Sequence, residues 1–275
     1  MGTAHDDPAT GGLMIGRLLP SFGSKRSLRL VERNFEVYKK RWLMFVSGFF
    51  EPLFYLLSIG IGLNHLVGTV TVGSKVVSYA AFVAPGMLAT SAMNGAIIDS
   101  IFNPFFRLKV SHSYDSLLAT PLDANDIALG ETVWALARAA LYALSFLLCM
   151  ALLGDTQSWW VILCWPAAIL ASFTFSCLGL AACTYLRSWL DFDLVTIVQL
   201  PLFLFSATFF PISLYPRWLG AMVAFSPLYQ SAALIRGIDF GQFGWIMLVR
   251  VAYLVILALI GLRVASRRFA RILGS

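Results

Sequence analysis

The chain has 275 residues, of which 59% are hydrophobic and 12% are charged, and its formal net charge is +6 at pH 7. Soluble domains carry roughly 25% charged residues, so this composition excludes an ordinary soluble protein and indicates a polytopic membrane protein. The cationic balance is not a sign of nucleic-acid binding, because a membrane bundle leaves no solvated face for DNA or RNA.

The N-terminal region divides into two parts. Residues 1–23 contain Pro8, Gly11 and Gly12 and lack an apolar stretch, which predicts a disordered tail without a cleavable signal peptide. After residue 24, apolar side chains recur at helical spacing with cations between them: Leu28, Val31, Phe35 and Tyr38. This pattern predicts an amphipathic helix on the membrane surface, in contact with membrane lipids. An ordinary charged flank to the first span is the alternative.

Six apolar stretches approach or exceed the roughly 20 residues that a helix needs to cross a bilayer. They are Leu43–Leu63, Tyr79–Phe102, Leu129–Leu153, Trp159–Leu186, Leu194–Phe210 and Phe243–Leu262. Helices satisfy their own backbone hydrogen bonds in lipid, so residues 24–275 are predicted to form one all-α membrane domain of six transmembrane helices.

Three charged residues inside these spans are candidates for an intramembrane polar site or a substrate path: Glu51, Arg138 and Arg250. A charge at the centre of a span costs about 2.5–3.5 kcal/mol, so it should face protein or water rather than lipid. Glu51 and Arg138 have similar predicted depths and could form an ion pair between helices, for which a structural role is favoured over a substrate role. Arg250 either extends to the interface or lines the path.

The link between the second and third spans is the candidate docking segment for a soluble partner. Its candidate contact residues are Phe105, Arg107, Leu108, Lys109, Tyr114, Asp115, Leu117, Leu118, Thr120 and Pro121. The apolar members can form one face and the charged members the other. The chain has no phosphate-binding loop of the G-x-x-x-x-G-K-[ST] type, so any ATP-driven motor would be a separate subunit. A loop on the membrane surface is the alternative.

The region after the fifth span contains two apolar runs, Trp218–Phe225 and Leu228–Ile235, separated by Ser226 and Pro227. Each run is too short to cross the bilayer. We therefore expect a re-entrant pair of short helices that closes the outer side of a cavity.

The cysteines and histidines give no metal-binding pattern. Cys149, Cys164, Cys177 and Cys183 lie inside predicted spans without a C-x-x-C pair, and the three histidines are scattered. The thiols are predicted to be small buried hydrophobic side chains, and no metal or other cofactor is expected on this chain.

The distribution of cations predicts the orientation. Fifteen of the twenty Lys and Arg residues lie on the side of the termini, three (Lys75, Arg217 and Arg236) on the other side, and two within spans. The positive-inside rule therefore predicts that both termini, Ser111 and Ser188 are cytoplasmic and that Ser74 and Ser213 are outside.

Several segments, in this order, resemble the membrane subunits of type-2 ABC exporters, a group that includes nodulation-factor exporters and daunorubicin-type drug exporters. They are Glu51–Leu57 with Gly60 and Gly62, Phe82–Gly86, Arg107-Leu108 with Tyr114–Leu122, Phe205–Pro211, Ser226–Tyr229 and Leu234–Gly237. The resemblance runs from about residue 25 to the end of the chain. It implies a dimer of six-span subunits in the bacterial inner membrane, with ABC ATP-binding subunits that bind ATP and Mg²⁺ on the cytoplasmic face.

The expected function is therefore the membrane subunit, itself no enzyme, of an ATP-driven exporter. Its expected substrate is amphiphilic: a drug, glycolipid, lipo-oligosaccharide or polyketide. One alternative is an intramembrane lipid-modifying transferase, for which Glu51 and Asp99 are the candidate acids. Another is a proton-coupled carrier that uses Glu51, although no inverted repeat is evident.

Overall fold

The computed structural model describes residues 53–72, 75–109 and 124–273. The predicted N-terminal tail, the predicted surface helix, Glu51 and residues 110–123 lie outside this part of the chain.

The described chain is predominantly helical. It begins with a helical stretch at 53–58, a π-helix at Ile59–Leu63, α1 at Asn64–Val67 and a hairpin of β1 (Thr69–Val72) and β2 (Lys75–Ser78). The helices that follow are α2 (Tyr79–Lys109), α3 (Ala124–Leu153), α4 (Cys164–Cys183), α5 (Phe192–Leu204), α6 (Arg217–Ala224), α7 (Pro227–Asp239) and α8 (Trp245–Leu273). Short 3-10 helices occupy Trp159–Leu163, Trp189–Asp191 and Ile212–Leu214. The two strands are antiparallel, and Val70 lies opposite Val77.

Among the described residues, four segments are long and apolar enough to cross a membrane: Tyr79–Arg107, Gly130–Leu153, Trp159–Cys183 and Trp245–Phe269. They confirm the second, third, fourth and sixth predicted spans as helices. The fifth prediction was too long, because α5 has 13 residues and a length of about 20 Å, short of a hydrocarbon core of about 30 Å. A total of six spans would require two further conditions. The turn after α5 would have to complete the crossing that α5 begins, and residues 43–52 would have to form the first part of the first span.

Helix α4 lies at the centre of the bundle and packs against α2, α3 and α8. Its buried positions are mostly small, which lets neighbouring backbones approach closely, as is common in membrane helix packing. At the crossing with α8, a Cβ atom on Gly261 would lie 2.9 Å from the carbonyl carbon of Cys177. The Thr174 hydroxyl donates a hydrogen bond across the same interface to the Leu254 carbonyl at 3.1 Å.

The bundle has two distinct ends. At the hairpin end, the Lys75 ammonium donates to the Phe240 carbonyl at 2.9 Å, and the backbone N–H of Gln157 donates to Asp239 Oδ1 at 3.2 Å. At the opposite, basic end, Arg268 donates to the Thr184 carbonyl at 3.4 Å. Helices α2, α4 and α8 run from the hairpin end to the basic end, and α3 and α5 run in the reverse direction.

Candidate functional site

The two short helices expected between Pro211 and Gln242 are present as α6 and α7, and their axes differ by 83°. The bend follows from the sequence at Ser226 and Pro227. The Ser226 hydroxyl accepts the Tyr229 backbone N–H at 3.5 Å, and Pro227 occupies the first turn of α7, where its missing N–H costs nothing. Helix α7 is buried over most of its length, whereas α6 is largely exposed.

Arg236 of α7 is a buried cation that holds this helix against two other parts of the chain. Its guanidinium donates to the carbonyls of Phe82, Ala207 and Thr208 at 3.1–3.2 Å. Its central carbon lies 4.1 Å from the centre of the Phe82 ring, in a cation–π contact. The sequence placed Arg236 among the cations on the outer side of the membrane. In the structure its side chain is buried in protein.

The turn that Arg236 contacts has an unusual backbone. Ala207 has a φ of +52°, a region in which residues other than glycine are uncommon. The Ser206 and Thr208 hydroxyls lie 2.6 Å apart, and Ser206 also donates to the Phe203 carbonyl at 2.7 Å. Gly86 of α2 allows the close approach, because a Cβ atom there would lie 3.0 Å from Arg236 Nη2. Together these contacts fix the turn after α5 against α2 and α7.

Arg250, a predicted site residue, lies on α8 and faces α7. Its guanidinium donates to the Ala233 carbonyl at 3.0 Å. The structure thus places Arg250 as a link between α7 and α8 near the hairpin end of the bundle.

In the described part of the chain, two ion pairs join α2 and α3 toward the basic end. Arg138 Nη1 lies 2.8 Å from Asp99 Oδ1, and both side chains are buried. Arg138 also donates to the Tyr142 hydroxyl at 3.1 Å. About two helical turns closer to the basic end, Arg107 pairs with Glu131. Arg138 is thus a member of an interhelical ion pair, with Asp99 as a partner; its predicted pairing with Glu51 concerns a residue outside the described part.

A polar stripe runs along α2 in the middle of the bundle. The stripe consists of Thr90, Ser91 and Asn94, and it lines a cavity of about 40 Å³ together with Tyr55, Met87 and Phe203. The Gln199 amide of α5 donates to the Asn94 side-chain oxygen at 2.7 Å. Polar side chains at this depth are costly and usually functional in membrane proteins.

The stripe is not among the site residues predicted from the sequence, because the candidates within the spans were the charged side chains. Asn94 and Gln199 are uncharged, but each is an amide in a strongly apolar stretch, and the same rule for polar residues in membranes applies to them. Their pairing, across 105 residues of chain, has no local signal.

At the basic end, the predicted docking segment is described only where it begins. Phe105 is buried in an aromatic cluster, with its ring centre 5.1 Å from Trp189 and 5.0 Å from Phe192. Arg107 forms the ion pair with Glu131, and the backbone of α2 continues through Leu108 and Lys109. Tyr114, Asp115, Leu117, Leu118, Thr120 and Pro121 lie outside the described residues.

The loop between α4 and α5, also at the basic end, is held by Asp191. Its carboxylate accepts the backbone N–H groups of Arg187 at 2.6 Å and Ser188 at 3.0 Å. These hydrogen bonds lower the pKa of Asp191 below its ordinary value, so the carboxylate stays ionised there.

The prediction for the cysteines is confirmed, because Cys149, Cys164, Cys177 and Cys183 are all free and buried. Within the described ranges 53–72, 75–109 and 124–273, no group of three His, Cys, Asp or Glu side chains is placed to hold a metal ion.

Comparison with known proteins identifies the family. Residues 27–240 match the ABC-2 type transporter family. The chain is 35% identical to Nodulation protein J of Rhizobium leguminosarum bv. trifolii over 222 residues, which cover 80% of this chain and 83% of the relative. It is 32% identical to proteins of the same name from R. leguminosarum bv. viciae, over 80% of this chain and 84% of the relative, and from Rhizobium meliloti (strain 1021), over 76% and 79%. The chain therefore belongs to the ABC-2 type transporter family, as a membrane subunit that works with an ABC ATP-binding subunit.

Proposed function

We propose that this subunit exports an amphiphile, using the polar stripe of α2 as part of the path through the membrane. The observation that carries the proposal is the pairing of Asn94 with Gln199 beside the half-buried side chain of Ser91. A few convergent polar groups in apolar surroundings are typical of sites for molecules with a large apolar body and a small polar part.

The surface beside the stripe is apolar, which suits the apolar part of such a molecule. On α5, which carries Gln199, the side chains of Ile197, Leu200 and Leu204 are exposed by 65%, 55% and 47%. A second permease copy that faces these residues would enclose the stripe, so we propose that the functional unit is a homodimer with the path between its two copies.

The orientation follows from the charges. The basic end carries Arg187 and the four arginines at the end of α8, and positive loops face the cytoplasm. We propose that this end is cytoplasmic and that α6 and α7 form a re-entrant pair on the outer side. Cysteine substitutions at Ser111, Ser188, Ser74 and Ser213, in a background without the native thiols, test this orientation. An impermeant reagent should label only Ser74→Cys and Ser213→Cys in intact cells, and labelling of Ser111→Cys would contradict it.

We propose that residues 105–121 couple this subunit to the ATP-binding subunit. The segment begins in the last turns of α2, next to the Arg107–Glu131 pair, and the ring of Phe105 packs against Trp189 and Phe192. Phe105 would then support the docking surface from within, and later residues of the segment would contact the partner. A displacement of the segment would be passed directly to α2, which carries the stripe.

The proposal is tested by transport in inverted membrane vesicles that contain the permease and the ATP-binding subunit encoded nearest to it. A fluorescent amphiphilic drug and a fluorescently labelled glycolipid are the two probes. We expect ATP-dependent accumulation of at least one probe, and a several-fold lower rate for Asn94→Leu than for wild type. The control is Gln242→Leu, an exposed amide at the hairpin end, which should transport like wild type. A wild-type rate in Asn94→Leu would contradict a path along the stripe.

The two alternatives receive less support. Asp99, an acid considered for a transferase, is buried and paired with Arg138, which does not favour a reactive carboxyl group. Glu51, the residue considered for a proton-coupled carrier, lies outside the described residues, and ATP-independent uptake driven by a pH gradient in the same vesicles would favour that alternative.

A further inference from the structure

A second, much larger cavity lies beside the bundle, between α2, α4 and α5. We call it the leaflet cavity; its volume is about 430 Å³ and its lining includes Ile101, Leu178, Leu186, Val198, Leu202 and Pro227. Gln199 also lines it, but the nitrogen of that amide is bonded to Asn94. The volume is in the range of small-molecule sites, roughly 300–1,000 Å³.

The leaflet cavity has the length of one membrane leaflet. Its lining follows α4 and the turn after it from Phe175 to Leu186, which corresponds to about 16 Å at the rise of a helix. Pro227, at the start of α7, lies at its other end. Half of a hydrocarbon core of about 30 Å is about 15 Å, so the cavity extends from the membrane surface at the basic end to the middle of the bilayer.

The leaflet cavity is open to the side, along α5. Leu194 and Val198 line it and are exposed by 60% and 62%. Helix α5 makes few contacts with α2 and α4, since the cavity separates them. An apolar space of this size would leave its lining without partner atoms if nothing filled it, and the apolar groups available beside it in a bilayer are lipid acyl chains.

The mouth of the leaflet cavity is cationic. Tyr185 lines the cavity at the basic end, and the Arg268 guanidinium lies 3.7 Å from the centre of its ring. Nε of Arg268 is buried and has no hydrogen-bond partner in the described part of the chain. Exposed arginines in the adjoining segments are Arg187, Arg263, Arg267 and Arg271, and the nearby acids are Asp191 and Asp193. The cations outnumber the acids, which suits a negatively charged headgroup.

We infer that the leaflet cavity binds one acyl chain of an anionic phospholipid from the leaflet at the basic end, with the headgroup phosphate at Arg268. The cavity borders the polar stripe at Gln199, but its remaining lining is distinct from the stripe, and the inference does not depend on which molecule the transporter exports. Bound lipid would fill the space between α5 and the rest of the bundle, and so would stabilise the position of α5.

The inference is tested by native mass spectrometry of the purified full-length permease after delipidation and addition of phosphatidylglycerol or phosphatidylcholine with identical chains. Wild type should retain one phosphatidylglycerol per chain in preference to phosphatidylcholine. Val198→Trp should lower that retention about tenfold or more, because the indole occupies the cavity. Ile246→Trp, at an exposed position of α8 near the hairpin end and outside the lining, is the control and should bind like wild type. Equal retention in Val198→Trp and wild type would overturn the inference.

The headgroup contact is tested separately. Arg268→Gln should lose the preference for phosphatidylglycerol, and Arg268→Lys, which keeps the charge, should retain it. Phosphatidylglycerol with a photoreactive acyl chain, added to the wild-type protein, provides a readout that does not depend on how the variants fold. It should label peptides of α2, α4, α5 and the start of α7, which line the cavity. Labelling confined to other parts of the chain, or equal binding of both lipids to wild type, would overturn the inference.

Discussion

At the scale of single residues, the buried arginines of this subunit are held in two different ways. Arg138 is paired with the carboxylate of Asp99, whereas Arg236 is surrounded by backbone carbonyls and one aromatic ring. Within the described part of the chain, Arg236 has no acidic partner. A guanidinium suits the second arrangement, because its planar fork of donors reaches several carbonyls at once.

Replacement of Arg236 should therefore weaken the attachment of α7. In Arg236→Met, the carbonyls of Ala207 and Thr208, which lie in a non-helical turn, lose a buried donor, at a cost of about 1–3 kcal/mol each. We expect a clear fall in Tm of the detergent-solubilised protein. Arg217→Met, at an exposed position, is the matched control and should change stability by less than about 0.5 kcal/mol. Equal Tm values for the two variants would show that the Arg236 contacts contribute little.

The Asp99–Arg138 pair can be measured by a double-mutant cycle on stability. Asp99→Asn leaves a buried cation with a neutral partner, and Arg138→Gln leaves a buried anion, so each single change should destabilise the protein. Since both residues share one interaction, the double variant should lose less than the sum of the two single losses, by about 1 kcal/mol or more. The corresponding cycle with Glu51→Gln measures whether Glu51 also couples to Arg138. Additive effects in the Asp99 cycle would refute the pair.

At the scale of secondary-structure elements, the long helices could be predicted and the end of α5 could not. Helices α2, α3, α4 and α8 each follow from a long, predominantly apolar run, although α2 and α8 continue past their predicted ends at Phe102 and Leu262 to Lys109 and Leu273. Helix α5 stops at Leu204 although apolar residues continue. Ser206 bonds the Phe203 carbonyl and contacts Thr208, so local side-chain bonds compete with the helix. The turn is completed by Arg236, some 30 residues later, which no local pattern could reveal.

The close contact between α4 and α8 can be tested by substitution at Gly261. Gly261→Ala should destabilise the protein by about 1–3 kcal/mol, because the added methyl group meets the backbone at Cys177 and forces the helices apart. The matched control is Gly95→Ala in α2, where the nearest atom to the new Cβ is in Tyr142 at 3.8 Å, an ordinary contact. Alanine favours the helix, so this control should be neutral or stabilising by up to about 1 kcal/mol. Thermal unfolding of both variants measures the difference, and a stabilising Gly261→Ala would contradict the close crossing.

At the scale of the whole molecule, the candidate site joins parts of the chain that are distant in sequence. The stripe on α2 meets Gln199 of α5, and the carbonyl of Phe82 meets Arg236. The sequence could identify polar residues within apolar spans, the cationic distribution and the unusual region after α5. It could not identify the partners, because pairings such as Arg138 with Asp99 depend on which helix faces are in contact.

The coupling proposal gives a prediction for the complete transporter. If residues 105–121 dock the ATP-binding subunit, Leu117→Asp or Leu118→Asp should place a charge in an apolar contact and lower recovery of that subunit on co-purification about tenfold. Basal ATP hydrolysis by the partner should persist, and its stimulation by the permease should be lost. The matched control is Leu66→Asp at the hairpin end, where the leucine is 86% exposed; it should retain the partner. Leu117→Ala separates loss of volume from introduction of charge and should weaken recovery less than Leu117→Asp. Full recovery and full stimulation in both aspartate variants, with the permease still inserted in the membrane, would exclude this segment as the docking site.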